Sequence, residues 1–578
     1  MASTTALLTG LSGLTANARK LDVIGNNIAN ANTPAFKSNR MLFAPTFSRT
    51  LSAGTSPSGA SGGANPSQVG LGISVAGTQR NFNNGAIATT GVATDLAIEG
   101  NGFFIVQRSG QEFYTRAGAF ELNSQRDLVT VTGERVQGFA VDDNFNIIEG
   151  SRVGLNIPVG ALTIAEATER VQFSGNLNAG GELPTQGARV AFDVPFTDFG
   201  AATPLTGASL LVNLDDPSNT GNALFPVAGV PFQFSLNGAQ KGGKTVPTEA
   251  LTIDATTTVQ NLIDFINNTF GIVPGVLNPD GSTSGAQIDG AGVFSIVGNA
   301  GEPNNLTIDN TDIRLSDAAG APITSPFTLS QSAVADGEGV RTTFVVYDSL
   351  GTPVEVDLAF NLESTGATGT VWRYYVDSRD HIDSTNLSLN IGSGTISFDT
   401  SGRLSTEAPI SVLIGREGTG AVNPLTVSLS MASEGNSVTA LTNLSGVSTI
   451  AAVFQDGSPL GVLSQFSVGE DGTITGAFTN GLTRTIGQLA VATFTNPEGL
   501  VDAGNQLFTI GANSGTPLIT TPGQFGAGRM IGGALEQSNV DLGQEFIDLV
   551  LTSTGYSAAS RIISTTDQLL QQLIALGR

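Results

Sequence analysis

The sequence predicts a multidomain, mainly β protein with α-helical N- and C-termini. At 578 residues, the chain is too long for one ordinary hydrophobic core. Only 13% of the residues are charged and 73 are glycine, which is typical of many short strands joined by tight turns. The apolar share of 40% is too high for a disordered chain. Long helical periodicity occurs only at the two ends, so helices are expected there and strands between them.

The first helical pattern lies near the N-terminus. Apolar residues recur at steps of three and four between residues 7 and 28, which predicts a helix of about six turns. The residues of this stripe are Leu7, Leu11, Leu14, Leu21 and Ile28, with Ile24 beside them.

An asparagine cluster follows this helix and precedes Pro34 and Phe36. Asparagine side chains donate and accept hydrogen bonds, and asparagine tolerates a left-handed backbone. The cluster therefore predicts that the helix ends here and that an extended segment is tied to backbone of the same chain or of another copy. An ordinary asparagine-rich helix terminus is the alternative. The four residues are Asn26, Asn27, Asn30 and Asn32.

The middle of the chain changes to a period of two, which predicts strands. A Gly-, Ser- and Pro-rich stretch at 51–68 first predicts a flexible or irregular connector. Strands are then expected within 92–120, 127–139, 341–362, 370–378, 464–478 and 486–494, with turns at 100–102, 349–351 and 471–472. One segment, 257–270, has helical spacing instead.

The second helical pattern starts at residue 542 and is expected to run to the terminus at Arg578. Ser538 or Asn539 is expected to cap its first turn, where Asp541 and Glu545 favour the positive end of the helix dipole. The apolar stripe comprises Leu542, Phe546, Leu549, Tyr556, Ile563, Leu570 and Ile574.

The two terminal helices are expected to pair as a coiled-coil-like inner domain and to present a shared apolar surface to neighbouring subunits. The C-terminal stripe is wider than a two-helix seam requires. Residues 1–50 carry five basic residues and one acidic, whereas residues 530–578 carry two basic and five acidic, so opposite charges attract the two ends. Isolated helices are marginal in water, so we expect both ends to fold on assembly. Packing of both helices on one domain's core is the alternative.

Composition and spacing exclude most chemical functions. A net charge of −24 argues against nucleic-acid binding. The chain has no cysteine and one histidine, His381, which rules out thiolate and multi-histidine metal sites. Asp377, Arg379, Asp380 and His381 are interpreted as a solvated loop. We expect no catalytic residue, no metal site and no cofactor.

The N-terminal sequence bears on targeting. Residues 1–18 hold no basic residue ahead of an apolar core, so no secretory signal peptide is expected. The chain has no run of about 18 apolar residues, so no membrane insertion is expected.

Two terminal motifs carry a resemblance to a known family. Residues 12–40, SGLTANARKLDVIGNNIANANTPAFKSNR, and the segment starting GALEQSNVDLGQEFIDLV at residue 533 together resemble the axial proteins of the bacterial flagellum, the rod and hook family. Residues 96–139 are similar to that family's first β-domain, and YDSLG at 347–351 is similar to its hook members. The chain departs from the family at Ala35, where glycine is usual, and in the loop 123–128, which lacks the usual glycine.

The resemblance implies a domain order. Residues 1–70 would form the N-terminal helix and extended connector of an inner-tube domain, and 531–578 its C-terminal helix. Residues 71–150 and 431–530 would form the two parts of the first β-domain. Residues 151–430 would form outer β-rich domains, barrel-like or sandwich-like, with an extra insertion at about 176–335.

The resemblance also implies a function. It implies a structural subunit, not an enzyme, that polymerises helically into the flagellar hook, the flexible universal joint that passes motor torque to the filament. Implied partners are further copies of itself, the distal rod, hook cap and hook–filament junction proteins, and the flagellar type III export apparatus. The implied location is extracellular, reached without a cleaved signal peptide. A distal rod or junction protein, and a secreted β-rich adhesin or surface-layer protein, are the alternatives.

The expected assembly interface combines these features. It comprises the two apolar helix stripes, the asparagine cluster with Pro34 and Phe36, and Asn539.

Overall fold

The computed structural model describes residues 2–59, 61–229, 231–385, 387–405, 409–432, 437–442 and 446–576. Within this part of the chain lie three α-helices: α1 (Ala2–Ala29), α2 (Val259–Phe270) and α3 (Leu542–Leu576). No helix among the described residues is both long enough and apolar enough to cross a membrane. The predicted helices are confirmed, although residues 577–578 of the expected C-terminal helix lie outside the described residues.

The chain forms two compact units. Unit 1 comprises residues 1–163 and 462–578, so both ends of the chain belong to it. Unit 2 comprises residues 164–461. Two strands, Thr163–Glu166 and Ser458–Val468, contain the points where the chain passes from one unit to the other.

A long β-hairpin follows α1 in unit 1. Strand Asn39–Pro45 pairs antiparallel with Ile73–Arg80, and Ser48–Ser52 pairs with Ser67–Gly70. A bridge between Thr55 and Ala64 continues the pairing towards the tip. The expectation of an irregular connector at 51–68 is therefore wrong, because its glycines and serines form the tip of a paired ribbon.

A β-domain makes up most of the remainder of unit 1. Its core contains aromatic rings packed edge to face, such as Phe82 against Phe103 and Tyr114 against Phe494. Its strands are Ile87–Thr89, Leu96–Glu99, Phe103–Arg108, Gln111–Thr115, Phe120–Leu122, Leu128–Thr130, Arg135–Val141, Ile147–Gly154, Thr473–Phe478, Thr483–Leu489, Val491–Thr493, Val501–Gly504, Leu507–Thr509, Leu518–Thr520, Arg529–Gly532 and Ala534–Glu536, with a 3₁₀ turn at Pro497–Gly499.

Strands from the two ends of the sequence pair in this domain. Leu96–Glu99 pairs with Arg529–Gly532, and Ile87–Thr89 pairs with Ala534–Glu536. The turn predicted at 100–102 does separate two strands, but they do not pair with each other, because Phe103–Arg108 pairs with Gln111–Thr115 instead. The segment expected as one strand at 486–494 is split at residue 490.

Two sheets share one core in unit 2. The first is antiparallel and contains Gly339–Tyr347, Pro353–Gly366, Gly369–Asp377 and Asn390–Phe398. The second contains Arg170–Asn176, Ile410–Ile414, Leu425–Ser430, Val438–Thr439 and Thr449–Gln455. Both contribute buried side chains, including Phe173 and Trp372. The hairpin predicted around 349–351 is confirmed, whereas none of the described strands close into a barrel.

The segment between these two sheets' first strands has its own core. Helix α2 begins with a capping box, in which the Thr258 hydroxyl accepts from the Asn261 N–H, and ends at Gly271 with φ of 55°. Its buried face packs on the strands Gly187–Phe192, Phe232–Leu236, Gln240–Lys241, Lys244–Thr245, Ala250–Ile253, Gly285–Ile288, Phe294–Ala300, Leu306–Thr307, Ile313–Ser316, Pro322–Ile323 and Leu329–Ala333, with 3₁₀ turns at Leu211–Asn213, Val227–Gly229 and Glu302–Asn304.

Asp377 corrects one sequence interpretation. It is the last residue of its strand and only 3% exposed, so the solvated-loop interpretation is wrong for this side chain. Its Oδ2 atom lies 2.8 Å from Nζ of Lys241, which is equally buried. A buried carboxylate requires such a partner, and a pairing over 136 positions is invisible to local patterns.

Candidate assembly surface

Helices α1 and α3 of unit 1 pack antiparallel. Near the end of α1, Asn27 Nδ2 donates to Glu545 Oε1 at 2.8 Å. About two turns earlier, Lys20 Nζ lies 3.2 Å from Asp548 Oδ1. Near the start of α1, Gly10 faces the far part of α3. The predicted contact between the terminal helices is therefore confirmed, and the Lys20 pair shows the expected charge complementarity; coiled-coil packing stays a prediction.

Small residues allow the two helices to approach closely. A Cβ atom added to Gly10 would lie 3.1 Å from Ile563 Cγ1, and one added to Gly13 would lie 3.7 Å from Ala559 Cβ. On α3, a Cβ at Gly555 would lie 3.2 Å from Asn17 Nδ2. The contact face consists largely of small and polar residues, so most of the large apolar side chains are left for the remaining faces.

Large apolar side chains cover those remaining faces. Val550 and Leu551 are both 64% exposed, which is unusual for consecutive large apolar residues in a soluble chain. The exposed set is Leu8, Leu11, Leu542, Phe546, Ile547, Val550, Leu551, Tyr556, Ile562, Leu569 and Ile574. Of the other expected stripe residues, Ile24 is buried, and Leu7, Leu14, Leu21, Ile28, Leu549, Ile563 and Leu570 are half-buried.

The β-hairpin adds to this apolar surface. Phe47 is 87% exposed, and Leu51 and Val69 are also exposed. The hairpin is anchored on α1, where Ser12 Oγ accepts from the Ile73 N–H at 3.2 Å. Thr5, Leu71 and Ile562 line an open groove of about 510 Å³ between the hairpin and the helices. Apolar surface thus extends from the helix pair onto the hairpin.

Asn27 ties the helix to the start of the hairpin. Its Nδ2 atom donates to the carbonyl oxygen of Asn39 at 2.8 Å, and its Oδ1 atom accepts from the Asn39 N–H at 3.0 Å. This side chain therefore acts as a one-residue strand partner, and it is 1% exposed. The prediction that the cluster ties an extended segment to backbone is confirmed within one chain for this residue.

The other three asparagines behave differently. Asn30 Nδ2 donates to the carbonyl oxygen of Asn26 at 2.9 Å, and Asn30 Oδ1 accepts from Thr33 Oγ1 at 3.1 Å. These bonds are local and close the last turn of α1, as in an ordinary helix terminus. Asn32 and Asn26 are exposed.

Asn539 links the C-terminal segment to two parts of the N-terminal segment. Its Oδ1 atom accepts from the Ser38 N–H at 2.8 Å, and its Nδ2 atom donates to the carbonyl oxygens of Asn81 and Asn83. It does not cap α3, and neither does Ser538. Asp541 is the cap, because its Oδ1 atom accepts from the N–H groups of Gly543 and Gln544.

A buried charge cluster lies next to Asn539. Lys37 Nζ lies 2.7 Å from Glu536 Oε1, and each side chain is 1% exposed. Arg116 Nη1 lies 3.5 Å from Glu536 Oε2. Glu536 also accepts from the Gly85 N–H, and Lys37 donates to the Asn83 carbonyl oxygen. Burial lowers the pKa of Lys37, and the Glu536 carboxylate partly offsets this effect.

Ala35 passes between Pro34 and Phe36 with a left-handed backbone. Its φ is 59°, and its N–H donates to the Glu536 carbonyl oxygen at 2.8 Å. Pro34 and Phe36 are half-buried. This conformation favours glycine, which explains in physical terms why glycine is usual at this position of the resembling family.

The geometry supports binding rather than chemistry. Among the described residues, no three His, Asp or Glu side chains gather as a metal site. The buried charges of Lys37, Arg116 and Glu536 compensate one another, although Glu536 Oε2 and Arg116 Nε have no hydrogen-bond partner among the described residues.

Sequence reasoning did not identify this charge cluster. Lys37 and Glu536 are separated by 499 positions. Lys37 lies inside the N-terminal motif and Glu536 inside the C-terminal motif. Their positions in these two motifs were the one feature of the sequence that could have suggested a contact.

Four family models match the chain, in sequence order. "Flagella basal body rod protein" matches residues 7–37, and "Flagellar hook protein FlgE/F/G D1 domain" matches 97–176. "Flagellar basal body protein FlaE D2 domain" matches 315–458, and "Flagellar basal body rod FlgEFG protein C-terminal" matches 531–576.

Curated relatives match the chain end to end. The chain is 29% identical to the flagellar hook protein FlgE of Treponema pallidum, over 99% of each chain. It is 28% identical to that of Borreliella burgdorferi, again over 99% of each chain. A crystal structure of Helicobacter pylori flagellar hook protein FlgE2 aligns with 78% of this chain and 100% of its own, at 17% identity and a TM-score of 0.37.

Proposed function

We propose that this chain, which belongs to the FlgE/F/G family of flagellar hook and rod proteins, is the structural subunit of a flagellar hook. The observation that carries the proposal is the end-to-end match to relatives named as hook proteins. Like the other members of its family, the chain is a structural protein and not an enzyme. It polymerises helically with copies of itself at the hook of the bacterial flagellum.

The assembly interface is formed by the terminal helices and the segment that joins them to the β-domain. Large apolar side chains on α3 are exposed, and a monomer in water gains nothing from exposing them. Each one is worth roughly 1.5–3 kcal/mol when fully buried against a neighbouring copy. The helices thus hold an inner tube, with the half-buried stripe residues and Asn26, Asn32, Pro34 and Phe36 at its contacts.

The finer domain roles belong to the same proposal. Residues 1–70 and 531–578 form the inner tube, 71–150 and 431–530 the first β-domain, and 151–430 the outer domains, including the insertion at about 176–335. The outer domains exchange polar contacts as the tube bends, which makes it a universal joint for motor torque. The two helices follow each other in coiled-coil fashion within the tube.

Its neighbours in the flagellum are the distal rod, the hook cap and the hook–filament junction proteins. The type III export apparatus carries the unfolded chain out of the cell, with the N-terminal residues as the address and no cleaved signal. The basic N-terminal segment and acidic C-terminal segment then attract each other during folding.

Deletion of the gene in its host tests the hook assignment by electron microscopy of isolated basal bodies. Basal bodies that end at the rod, without hooks, are expected. Hooks that lack filaments would point to a junction protein instead, and truncated rods would point to a rod protein. Intact flagella with lost surface attachment would point to an adhesin.

The interface is tested by Leu551→Asp, which places a charge on the exposed apolar face of α3. Polymer growth from hook seeds, measured by pelleting, should be lost, because burial of an unpaired carboxylate is costly. Gln568→Asp adds the same charge at an exposed polar position of the same helix and should polymerise normally. Equal polymerisation of both variants, or of a chain lacking 542–578, would contradict the inner-tube role of α3.

A further inference from the structure

Unit 2 contains a buried lysine that the proposed function does not use. Lys241 lies on strand Gln240–Lys241 and is 2% exposed. Its Nζ atom contacts Asp377 Oδ2 at 2.8 Å and the Gly271 carbonyl oxygen at 3.2 Å. The ring of Tyr375, also buried, lies beside it with its centroid 5.9 Å from Nζ. Water is therefore excluded from a primary amine.

The Asp377 carboxyl group also accepts a hydrogen bond from a side-chain amide. Asn390 Nδ2 donates to Asp377 Oδ1 at 3.1 Å, while Lys241 occupies Oδ2. Asp377 and Asn390 face each other in the register of two neighbouring strands. The amine and the amide are therefore bonded to the two oxygens of one carboxyl group.

Gly271 is a neighbour of both Lys241 and Asn390. Its carbonyl oxygen accepts from Lys241, and a Cβ atom built on it would lie 3.2 Å from Asn390 Cβ and 3.2 Å from Asp377 Oδ1. The glycine has φ of 55° and ends α2. A larger residue here would displace Asn390, so glycine at position 271 leaves the space that the Asn390 side chain occupies.

We propose that Lys241 and Asn390 react to form an intramolecular amide bond, with Asp377 as the group that transfers the protons. The bond joins the segment that contains α2 to the antiparallel four-stranded sheet of unit 2. It is a covalent modification site formed from three side chains of this chain alone.

The reaction balances without a cofactor or oxidant. A proton moves from Nζ of Lys241 to Asp377, which leaves an uncharged amine and an uncharged carboxyl group. The amine attacks Cγ of Asn390, so that the Nζ–Cγ bond forms and the Cγ–Nδ2 bond breaks. The carboxyl group protonates the departing Nδ2 through Oδ1 and takes up the proton that Nζ loses. Asp377 passes this last proton to the ammonia, which leaves as ammonium, and Asp377 returns to its starting carboxylate form.

Burial favours the uncharged amine that this step needs. Desolvation lowers the pKa of Lys241, although the Asp377 carboxylate opposes this effect. Lys244 offers a contrast three residues later. Its side chain is 31% exposed and contacts two carboxylates, Glu355 and Asp357.

The consequence is mechanical. An amide bond between residues 241 and 390 closes a covalent loop, so the segment with α2 cannot be pulled off the sheet even if their non-covalent contacts open. A buried ion pair can separate and re-form, whereas an amide bond persists under load. A subunit that transmits torque gains a rigid outer part from it.

Mass spectrometry of the denatured full-length chain tests the bond. The expected intact mass is lower than the sequence mass by one ammonia, and a tryptic map should contain a branched peptide joining Lys241 to Asn390. The variants Lys241→Met and Asn390→Ala should have their full sequence masses, and Lys244→Met should retain the loss of one ammonia. Circular dichroism spectra that match the wild type establish that the variants fold.

Other results would overturn the proposal. A wild-type chain with its full sequence mass and a free Lys241 excludes the bond. Loss of ammonia with linear peptides only would indicate a cyclic imide at an asparagine, not a cross-link. Loss of water with a branch to Asp377 would make the aspartate the acyl donor and exclude the proposed role of Asn390. None of these readouts depends on polymerisation, so the hook proposal is judged separately.

Discussion

At the scale of single residues, Ala35 carries a backbone conformation that its side chain opposes. A left-handed φ costs an L-residue roughly 1–2 kcal/mol, and only glycine adopts it freely. Arg126, in the loop 123–128, has φ of 65° and is a second such position. These are the two sites where the sequence lacks a glycine that is usual in the resembling family, and the structure supplies the reason.

Replacement of Ala35 by glycine should therefore stabilise unit 1. The expected gain is about 0.5–1 kcal/mol, because relief of backbone strain exceeds the added entropy of the unfolded chain. Urea denaturation of the assembled polymer, monitored by circular dichroism, measures it. The control Ala29→Gly lies at the exposed end of α1 and should be destabilising by up to about 1 kcal/mol. Loss of stability in Ala35→Gly would refute the strain.

The pKa values of two acidic residues of α3 are shifted in opposite directions. Burial raises the pKa of Glu545, and the hydrogen bond from Asn27 opposes the rise. The hydrogen bond from Gln544, with help from Lys20, lowers the pKa of Asp548. A raised carboxyl pKa stabilises the folded form below the unfolded pKa, and this contribution is lost as pH rises. A lowered pKa stabilises above the unfolded pKa, and this contribution is lost as pH falls.

Helix pairing should therefore strengthen slightly as pH falls from neutral towards about 4.5 and weaken below about 3.8. Glu545→Gln should remove the first effect and add a few tenths of a kcal/mol at pH 7, a small value because solvent screens the site. Asp548→Asn should remove the second. Thermal unfolding of assembled polymer across this pH range measures both, and a flat profile in the wild type would contradict the assignment.

The sequence predicted which residues would matter in the linking segment but not how they act. Asn27 and Asn539 were expected at contacts. Asn27 binds the backbone of Asn39 within the N-terminal segment, and Asn539 binds the backbone of Asn81 from the C-terminal segment. The salt bridge of Lys37 with Glu536 could not be predicted, because no local pattern relates residues 499 positions apart. Pairwise chemistry of this range becomes visible only in the folded chain.

At the scale of elements, α1 and α3 were predictable because apolar periodicity extends over many turns. The face on which they meet was not. The apolar stripe is defined by large apolar residues. The helix contact is instead formed at Gly10, Gly13 and Gly555, which do not contribute to an apolar pattern. Close backbone approach selects small residues, and the large ones then remain for other partners.

Gly10→Leu should separate the two helices. Even the first carbon of its side chain would lie 3.1 Å from Ile563 and 3.2 Å from Ile562, so the remaining atoms have no room. We expect a loss of about 1–3 kcal/mol, seen as lower thermal stability of the assembled form. Gly25→Leu is the matched control, because nothing lies within 4 Å of its Cβ position and leucine favours the helix. Equal effects of both changes would contradict the close contact.

The hairpin between Asn39 and Arg80 could not be predicted from its turn residues. The strands towards its tip, Ser48–Ser52 and Ser67–Gly70, are exposed on both faces, so the sequence there lacks the alternation of a half-buried strand. Glycine and serine at the tip then predict an irregular connector. An element that relies on backbone pairing rather than on side-chain burial leaves little trace in the sequence.

At the scale of the whole molecule, the two units differ in the interactions that stabilise each of them internally. Unit 2 has two extensive cores of its own. The terminal helices of unit 1 expose much of their apolar surface and pair through small residues. Stability is therefore expected to be lowest at the two ends of the chain.

Limited proteolysis of dilute monomer should remove roughly the first 60 and the last 40 residues and leave the rest intact. The same digestion of polymer should spare both ends, because neighbouring copies bury them. Mass spectrometry identifies the cleavage points, and a protease-resistant full-length monomer would mean that the helices are stable without assembly.

The pairing of strands from opposite ends of the sequence sets an order of events in biosynthesis. Leu96–Glu99 leaves the ribosome more than 400 positions before its partner Arg529–Gly532. The β-domain of unit 1 consequently stays open during almost the entire period of translation, while unit 2 has every strand it needs much earlier. A message truncated between codons 462 and 529 therefore yields a chain with the whole of unit 2 but with an incomplete β-domain in unit 1.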